Sequence, residues 1–247
     1  MKIEVVQLDW TEPAPKRLHE ILSNEAGKRA IEVALTGGHE IVFLSTVRAP
    51  ASDMLRAAAR IAKENGLPFK GSVVPVCECG AYGTARTECV CTHADLSKYA
   101  RKILPMLKRA SIVIEVLETS AREQARGTLS NEPESTMVAR ILAARKTQPI
   151  ADCLRSDSNE LLCMAIRELG AERDKVVAVA MTISRLGGYV TIQPCAIAEA
   201  IQYQHRHLAN WTDDFEEIVV EQNKADMTIT EVKQRDFDLA RRTGSLI

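Results

Sequence analysis

The stretch EIVFLSTVRAPASDMLRAAARIAKENG, residues 40–66, joins an apolar run to an amphipathic segment through a short loop. Its first six residues, EIVFLS, favour a short buried strand. The following ASDMLRAAARIAKENG (51–66) places apolar residues at helical spacing and stops at Gly66, a common helix terminator. A strand, a loop and a helix in this order are the repeating unit of α/β proteins, so this stretch predicts that fold class.

The segments on either side extend the same pattern. Upstream, KRLHEILSNEAGKRAIEVAL (16–35) predicts a helix that ends at Gly37-Gly38. Downstream, KGSVVPVCECG (70–80) begins as a second strand and SIVIEVLE (111–118) reads as a third. Between them, Thr92 and Asp95 form a capping-box signature that opens the helix THADLSKYARKILPMLKRA. Strands separated by helices indicate an α/β layer with a mainly parallel sheet.

After about residue 119 the pattern becomes helical throughout. Asn131 and Glu134 are spaced to cap a helix over STMVARILAARKTQ, and three more amphipathic stripes follow: SNELLCMAIRELG, ERDKVVAVAMTISRLGG and QPCAIAEAIQYQHR. The polar linker ETSAREQARGTLSNEP marks the boundary. The sequence thus predicts an α/β domain over residues 1–118, a helical domain over 119–210 and an acidic tail over 211–247.

Composition favours a globular protein and argues against a membrane-spanning one. The 247 residues are 46% hydrophobic and 26% charged, as in soluble globular proteins, and no run reaches the roughly 18 apolar residues of a membrane span. An odd number of cysteines, with Cys153, Cys163 and Cys195 isolated in apolar settings, favours reduced thiols and a cytoplasmic location. The net charge of −1 gives no bulk attraction to nucleic acid, so any such contact needs a local patch.

Four of the seven cysteines fall within CECGAYGTARTECVC, residues 77–91. Residues i and i+2 of a strand project from one face, so two C-x-C strands folded together would converge Cys77, Cys79, Cys89 and Cys91 on one tetrahedral zinc ion. Four sulfur ligands leave no position for water, which makes such a site structural. Inert buried thiols, a redox pair and a site that uses His93 as a substitute ligand remain alternative interpretations.

The order of these motifs resembles that of the magnesium-chelatase-like AAA+ ATPases, in particular the ComM-type proteins. Members carry a C-P-C-G…C-x-C insert followed by a helix and a strand, and here CECG…CVC, MLKRAS and IVIEV occupy that order. The similarity extends upstream through KRAIEVALTGGHEIVFLS and downstream through LLCMAIRELG and VAVAMTISRL, over roughly residues 25 to 207. The resemblance implies a reduced P-loop-like AAA+ core with a zinc-ribbon-like insert, followed by a small all-helical lid.

The chain departs from that family at the nucleotide site. Where members have G-P-P-G-x-G-K-[ST], this chain has STVRAPASD (45–53), which lacks glycine and lysine and places Asp53 at the magnesium-binding hydroxyl. Phosphate cradles need glycine backbone and the lysine charge. The segment with the Walker B acid is missing after Gly66, the sensor asparagine is replaced near Pro75-Val76, and Ala178 and Met181 are the nearest matches to the lid arginine. We therefore expect no unaided ATP hydrolysis and no role for ATP or magnesium.

Other charged residues offer weaker signals. Arg109 matches the position of the family's inter-subunit arginine, although an ordinary surface arginine at a helix end is the simpler interpretation. A basic run on the same helix and the preceding loop could contact phosphates or a partner, or could be a solvated helix face: Arg86, Lys98, Arg101, Lys102 and Lys108. His39 fits a turn, and His205 and His207 fit cations at a helix end.

Three functional hypotheses follow. The first is a truncated, non-hydrolysing relative of the ComM-type ATPases that keeps structural zinc and serves as an accessory or assembly protein, with a protein partner or as a homo-oligomer. The second is an ATPase subunit with an unorthodox nucleotide site, or with a site completed by a partner. The third is a nucleic-acid-binding accessory protein. None of the three involves a membrane.

Overall fold

The computed structural model describes residues 16–82, 84, 87–118, 132–147 and 154–204. Over these ranges it contains a short 3₁₀ helix at Leu18–Glu20, three strands and seven α-helices. The strands are β1 (Glu40–Ser45), β2 (Lys70–Pro75) and β3 (Ile112–Val116). The helices are α1 (Glu25–Gly37), α2 (Ala51–Glu64), α3 (His93–Arg109), α4 (Glu134–Lys146), α5 (Ser156–Leu169), α6 (Arg173–Leu186) and α7 (Pro194–Gln202).

The three strands form one parallel sheet in the order β2-β1-β3. Phe43 in the central strand lies in register with Val73 on one side and Ile114 on the other. A parallel pair needs a crossover connection, and here α2 joins β1 to β2 while α3 joins β2 to β3. The predicted α/β class with a parallel sheet is therefore confirmed, while the larger AAA+ core is supported only in part by a sheet of three strands.

Helices cover both faces of β1, which explains its unbroken apolar run. Ile41 and Phe43 belong to an apolar cluster with α1, α2 and the helices α4 to α7. Val42 and Leu44 belong to a second cluster on the opposite face, where α3 and Cys77 pack. The first cluster takes side chains from both sides of the predicted domain boundary. That boundary, at residues 119–131, and the tail 211–247 lie outside the described residues.

The helix expected over residues 16–35 is interrupted. Ser23 and Asn24 have φ of 58° and 59°, in the left-handed region, and α1 begins only at Glu25. The amide side chain of Asn24 explains the break, because it donates to the Leu117 carbonyl at 3.2 Å and accepts the Leu117 N–H at 3.1 Å. Asparagine tolerates this conformation better than most residues, so its tertiary contact overrides local helix propensity.

Of the two predicted helix caps, the structure confirms the one at α3 and corrects the one at α4. Thr92 Oγ1 accepts the Asp95 N–H at 3.2 Å, and Asp95 Oδ2 accepts the Thr92 N–H at 3.0 Å, which confirms the capping box of α3. The capping pair expected at α4 is wrong in its acidic half: Glu134 is the first residue of the helix rather than its third. Its carboxylate accepts the Leu18 N–H at 2.9 Å and pairs with Arg60 at 2.6 Å. Asn131 lies outside the described residues.

Two isolated cysteines also differ from expectation. Cys163 and Cys195 are free but exposed, because each lies on the solvent side of its helix rather than within the apolar stripe. Cys153 lies outside the described residues. Across the described part of the chain, no helix is both long enough and apolar enough to cross a bilayer.

Candidate metal centre

The four clustered cysteines come from two irregular segments that meet beside α3. Cys77 and Cys79 lie in the turn that follows β2, and Cys89 and Cys91 lie just before the capping box of α3. Neither pair is on a strand, so the expectation of two C-x-C strands is wrong for the described residues. The turn depends on Gly80, which has φ of 73° and whose N–H donates to the Cys77 carbonyl.

The sulfur atoms are spaced as a tetrahedral metal site requires. All four Sγ atoms lie within 4.8 Å of one another. The Cys77–Cys79, Cys79–Cys89 and Cys77–Cys89 Sγ distances are 3.4, 3.6 and 3.8 Å. A zinc ion with Zn–S bonds of about 2.3 Å holds its sulfurs about 3.8 Å apart, so the four thiols fit a metal such as zinc.

Backbone N–H groups surround the sulfurs as they do in closed thiolate sites. Tyr82 N–H donates to Cys77 Sγ at 3.4 Å. Although burial opposes ionisation of Cys79, the Ala81 N–H, the Cys77 thiol and the Val90 N–H lower the pKa of Cys79 to about 6. Burial raises the pKa of Cys77, so a bound cation would be needed to hold all four thiolates together. His93, exposed at the start of α3, is not one of the clustered ligands.

The cysteine turn packs directly on the loop after β1. Val47 N–H donates to the Gly80 carbonyl at 2.8 Å, Thr46 N–H to the Val116 carbonyl at 3.4 Å, and Ala49 N–H to the Thr46 carbonyl at 3.2 Å. A side chain at Gly80 would begin 2.7 Å from Val47 Cγ2, so the contact is tight. Three loop N–H groups therefore donate to protein carbonyls, and phosphate cradles use such groups for the ligand.

A cavity of about 540 Å³ adjoins this loop and is lined by charges of both signs. Arg48, in the left-handed region with φ of 68°, and Lys16 supply positive charge; Asp53, Glu20 and Glu118 supply negative charge. Asp53 pairs with Lys16 at 3.5 Å and with Arg56 at 3.9 Å. The loop end of α2 is thus occupied by a carboxylate with its own cationic partners.

The other predicted site residues do not join the cysteine cluster. Arg109 donates from Nε to the Glu40 carboxylate at 3.1 Å, at the opposite edge of the sheet from the loop. Lys98, Arg101 and Lys102 are exposed on α3, and Lys108 is half-buried near its end. Arg86, His205 and His207 lie outside the described residues, so the interpretations given to them stay predictions.

Two arginines that the sequence analysis did not single out gather near His39. Arg145 donates to the Thr36 carbonyl at 2.8 Å, and Arg185 donates to the Ala144 carbonyl at 2.7 Å. The His39 ring is not only a turn residue, because its Nε2 lies 2.8 Å from Thr182 Oγ1 across the helix interface. The sequence offered one signal for these arginines, namely that each lies in the last turn of a helix. Cations are common there because they stabilise the helix dipole, so the signal does not indicate a site.

Comparison with known proteins agrees with the resemblance found in the motifs. No curated protein sequence gives a significant match to the chain. The family model described as "Magnesium chelatase, subunit ChlI" matches residues 45–124. This segment includes the loop after β1, the cysteine cluster, α3 and β3. The resemblance to the magnesium chelatase family is thereby confirmed for this segment, which is about a third of the chain.

Proposed function

We propose that this protein is a non-hydrolysing relative of the magnesium-chelatase-like AAA+ ATPases, of the ComM type, that acts as a cytoplasmic accessory or assembly protein. The observation that carries the proposal is the loop after β1. Its Thr46, Val47 and Ala49 N–H groups donate to protein carbonyls, and the loop contains neither glycine nor lysine. A triphosphate would have to compete with these internal hydrogen bonds without the charge compensation that such sites supply.

Electrostatics supports the same conclusion. Asp53 lies in the first turn of α2, where a phosphate-binding protein would present free N–H groups and a hydroxyl. Its carboxylate is paired with Lys16 and Arg56, so those cations are already engaged. Nucleotide binding would bring further negative charge to this carboxylate. The α2 and β2 elements are joined by residues 65–69 alone, which leaves no room there for a strand with a Walker B acid.

The four cysteines supply the proposed zinc site, which is structural. Four sulfur donors close the coordination shell, so the metal has no position for a water nucleophile. Its role is to fix the turn against which the loop after β1 packs, through the hydrogen bond from Val47 N–H to the Gly80 carbonyl. The metal thereby stabilises the surface formed by the cysteine turn and the loop after β1. In this proposal, that surface serves for assembly with a protein partner or with further copies of the chain.

Titration with labelled ATP and magnesium tests the proposal. We expect no magnesium-dependent binding in the micromolar range and no hydrolysis by the full chain. The variant Asp53→Thr restores a hydroxyl and removes the negative charge. If the loop hydrogen bonds are the main obstacle, this variant also fails to bind. Micromolar, magnesium-dependent binding by the unmodified chain would contradict the proposal. Binding that appears only in the variant would show that the charge of Asp53, rather than the hydrogen-bonded backbone of the loop, prevents nucleotide binding.

One observation favours nucleic-acid binding as a second candidate function. Lys98, Arg101 and Lys102 are spaced by three and four residues, so they share one exposed face of α3. Binding through these cations predicts a gel shift that weakens steeply with salt, because each phosphate contact releases a counterion. The variants Lys98→Gln and Lys102→Gln should weaken the shift, whereas Arg167→Gln, on the exposed face of α5, should not.

A further inference from the structure

A second cavity, of about 370 Å³, lies among α1, α4 and α6. Its polar lining consists of Arg145, Arg185, His39, Thr36 and Thr182. Gly37, Ala178 and Met181 complete the wall with apolar or small groups. Within the described part of the chain, no carboxylate lines this cavity, in contrast to the mixed charges near Asp53.

Among the described residues, both arginines donate hydrogen bonds to neutral groups only. Arg145 donates from Nη1 to the carbonyls of Leu35 and Thr36 at 3.2 and 2.8 Å. Arg185 donates from Nη2 to the carbonyls of Ala144 and Thr147 at 2.7 and 3.3 Å. A guanidinium carries five N–H donors, and Nη2 of Arg145 and Nη1 of Arg185 make no hydrogen bond to any residue that the structure describes, so they can donate to a ligand.

Capping of helix ends alone does not use up this charge. The carbonyls belong to the carboxyl ends of α1 and α4, and each helix end carries about half a negative charge. Two full positive charges against two half charges leave the cavity with a net charge of about +1. Neither arginine has a carboxylate partner among the described residues, and Arg145 is exposed while Arg185 is half-buried, so an anion that enters from solvent can reach both guanidinium groups.

His39 and Thr182 add a neutral pair that can respond to an anion. The Thr182 hydroxyl oxygen lies 2.8 Å from His39 Nε2 and 3.2 Å from the Ala178 carbonyl, and the tautomer of the ring decides whether Nε2 donates to this oxygen or accepts from it. The ring lies against Gly37, where a Cβ would be 2.2 Å from His39 Nε2. Burial lowers the pKa of His39 to about 4, so the ring is neutral at pH 7 and has one nitrogen left to protonate.

We propose that this cavity binds a small phosphate monoester, with Arg145 and Arg185 holding the phosphate group. The planar guanidinium fork matches the geometry of phosphate oxygens, and two forks suit a dianion. The cavity is larger than a lone phosphate ion, and its size is that of small-molecule sites. Ala178 and Met181 would contact the apolar part of the ligand.

Calorimetric titration of the full chain tests the site, with inorganic phosphate and glycerol 3-phosphate as probes and glycerol as the uncharged control. We expect saturable binding without magnesium, with a dissociation constant on the order of 1 mM for phosphate and tighter binding of the ester. Arg145→Gln and Arg185→Gln should each weaken binding about tenfold or more. Arg155→Gln changes the charge equally at an exposed position outside the cavity and should have no effect.

NMR titration of the His39 ring supplies a readout that a merely structural role would not move. Phosphate should raise the pKa of His39 in the unmodified chain and leave it unchanged in Arg185→Gln. If either glutamine variant unfolds, Arg145→Lys and Arg185→Lys keep the charge and should still lose affinity because the fork is absent. Failure of both probes to bind saturably, or equal binding by Arg155→Gln and the cavity variants, would overturn the proposal.

This outcome is separable from that of the ATP titration. Binding at the cavity is independent of magnesium and should be unchanged by Asp53→Thr, whereas the nucleotide binding that would contradict the proposed function requires magnesium. Either proposal can therefore fail while the other stands.

Discussion

Glu134 is a buried carboxylate that ties three elements together. It pairs with Arg60 of α2 at 2.6 Å and accepts the Leu18 N–H at 2.9 Å, while its side chain is 6% exposed. Removing one partner of a buried ion pair leaves an uncompensated charge, which typically costs 3–5 kcal/mol. We expect Glu134→Gln to lower the free energy of unfolding by about 3 kcal/mol, measured by denaturant titration.

Glu132 provides the matched control, since it is also paired with an arginine but is 44% exposed. Glu132→Gln should change the free energy of unfolding by less than about 1 kcal/mol. Equal losses in the two variants would show that burial does not decide the strength of these pairs. The sequence placed Glu134 near a helix start but could not indicate its distant partners, because Arg60 lies 74 residues away.

His39 makes the fold sensitive to mild acid. Burial lowers its pKa to about 4 from an ordinary value near 6.5, so the folded state resists protonation. Burial of the neutral His39 ring contributes fully to stability above pH 6.5. This contribution falls as the pH drops toward 4, since only the unfolded chain takes up the proton between these pH values. The unfolding free energy should fall by up to about 3 kcal/mol more in the unmodified chain than in His39→Gln.

Denaturant titrations between pH 7.5 and 4.5, in buffers free of phosphate, measure this difference. Parallel pH profiles for the two proteins would contradict it. Sequence alone placed His39 correctly after the helix terminator Gly37-Gly38 but could not show that Thr182, on a helix far along the chain, closes over the ring.

At the scale of elements, the cysteine turn and the loop after β1 form one unit. The Val47 N–H to Gly80 hydrogen bond and the Gly80 N–H to Cys77 hydrogen bond connect the thiols to the loop in two steps. We expect about one zinc ion per purified chain by elemental analysis, and chelation should speed hydrogen exchange at the Val47 amide. Cys77→Ser should lose the metal and reproduce that faster exchange.

Cys163→Ser is the control for this prediction, because Cys163 is exposed on α5 and outside the cluster. It should keep both the zinc and the slow exchange. The link between metal and loop would be refuted if the purified protein contained no metal and the Val47 amide exchanged equally slowly before and after chelation.

Local patterning predicted most of the elements but not their irregular junctions. The strands β1, β2 and β3 and the capping box of α3 follow from short-range signals that tertiary contacts reinforce. The break before α1 does not, because Asn24 adopts its left-handed conformation to bind Leu117, 93 residues away. The four cysteines were correctly grouped by spacing, yet the backbone that carries them is a turn rather than paired strands, since Gly80 and Cys77 hydrogen-bond locally.

For the molecule as a whole, the apolar core crosses the division that the sequence suggested. One cluster holds Ile41 and Phe43 of β1 together with Ile141 of α4, Val179 of α6 and Ile197 of α7. Helices and a sheet that share one apolar core are expected to unfold together, whereas two domains with separate cores would unfold in two steps. This arrangement favours one cooperative unit over the described residues.

Native-state hydrogen exchange can distinguish these outcomes. The slowest amides of β1 and of α6 should exchange with the same opening free energy. Ile141→Ala removes a fully buried side chain from α4, which should lower that free energy by about 2–5 kcal/mol in both elements together. The exposed Met164→Ala, on α5, should lower neither by more than about 0.5 kcal/mol. A loss confined to α6 after Ile141→Ala would mean that the helical segment opens on its own, because the damage would then stop at the boundary instead of reaching the sheet.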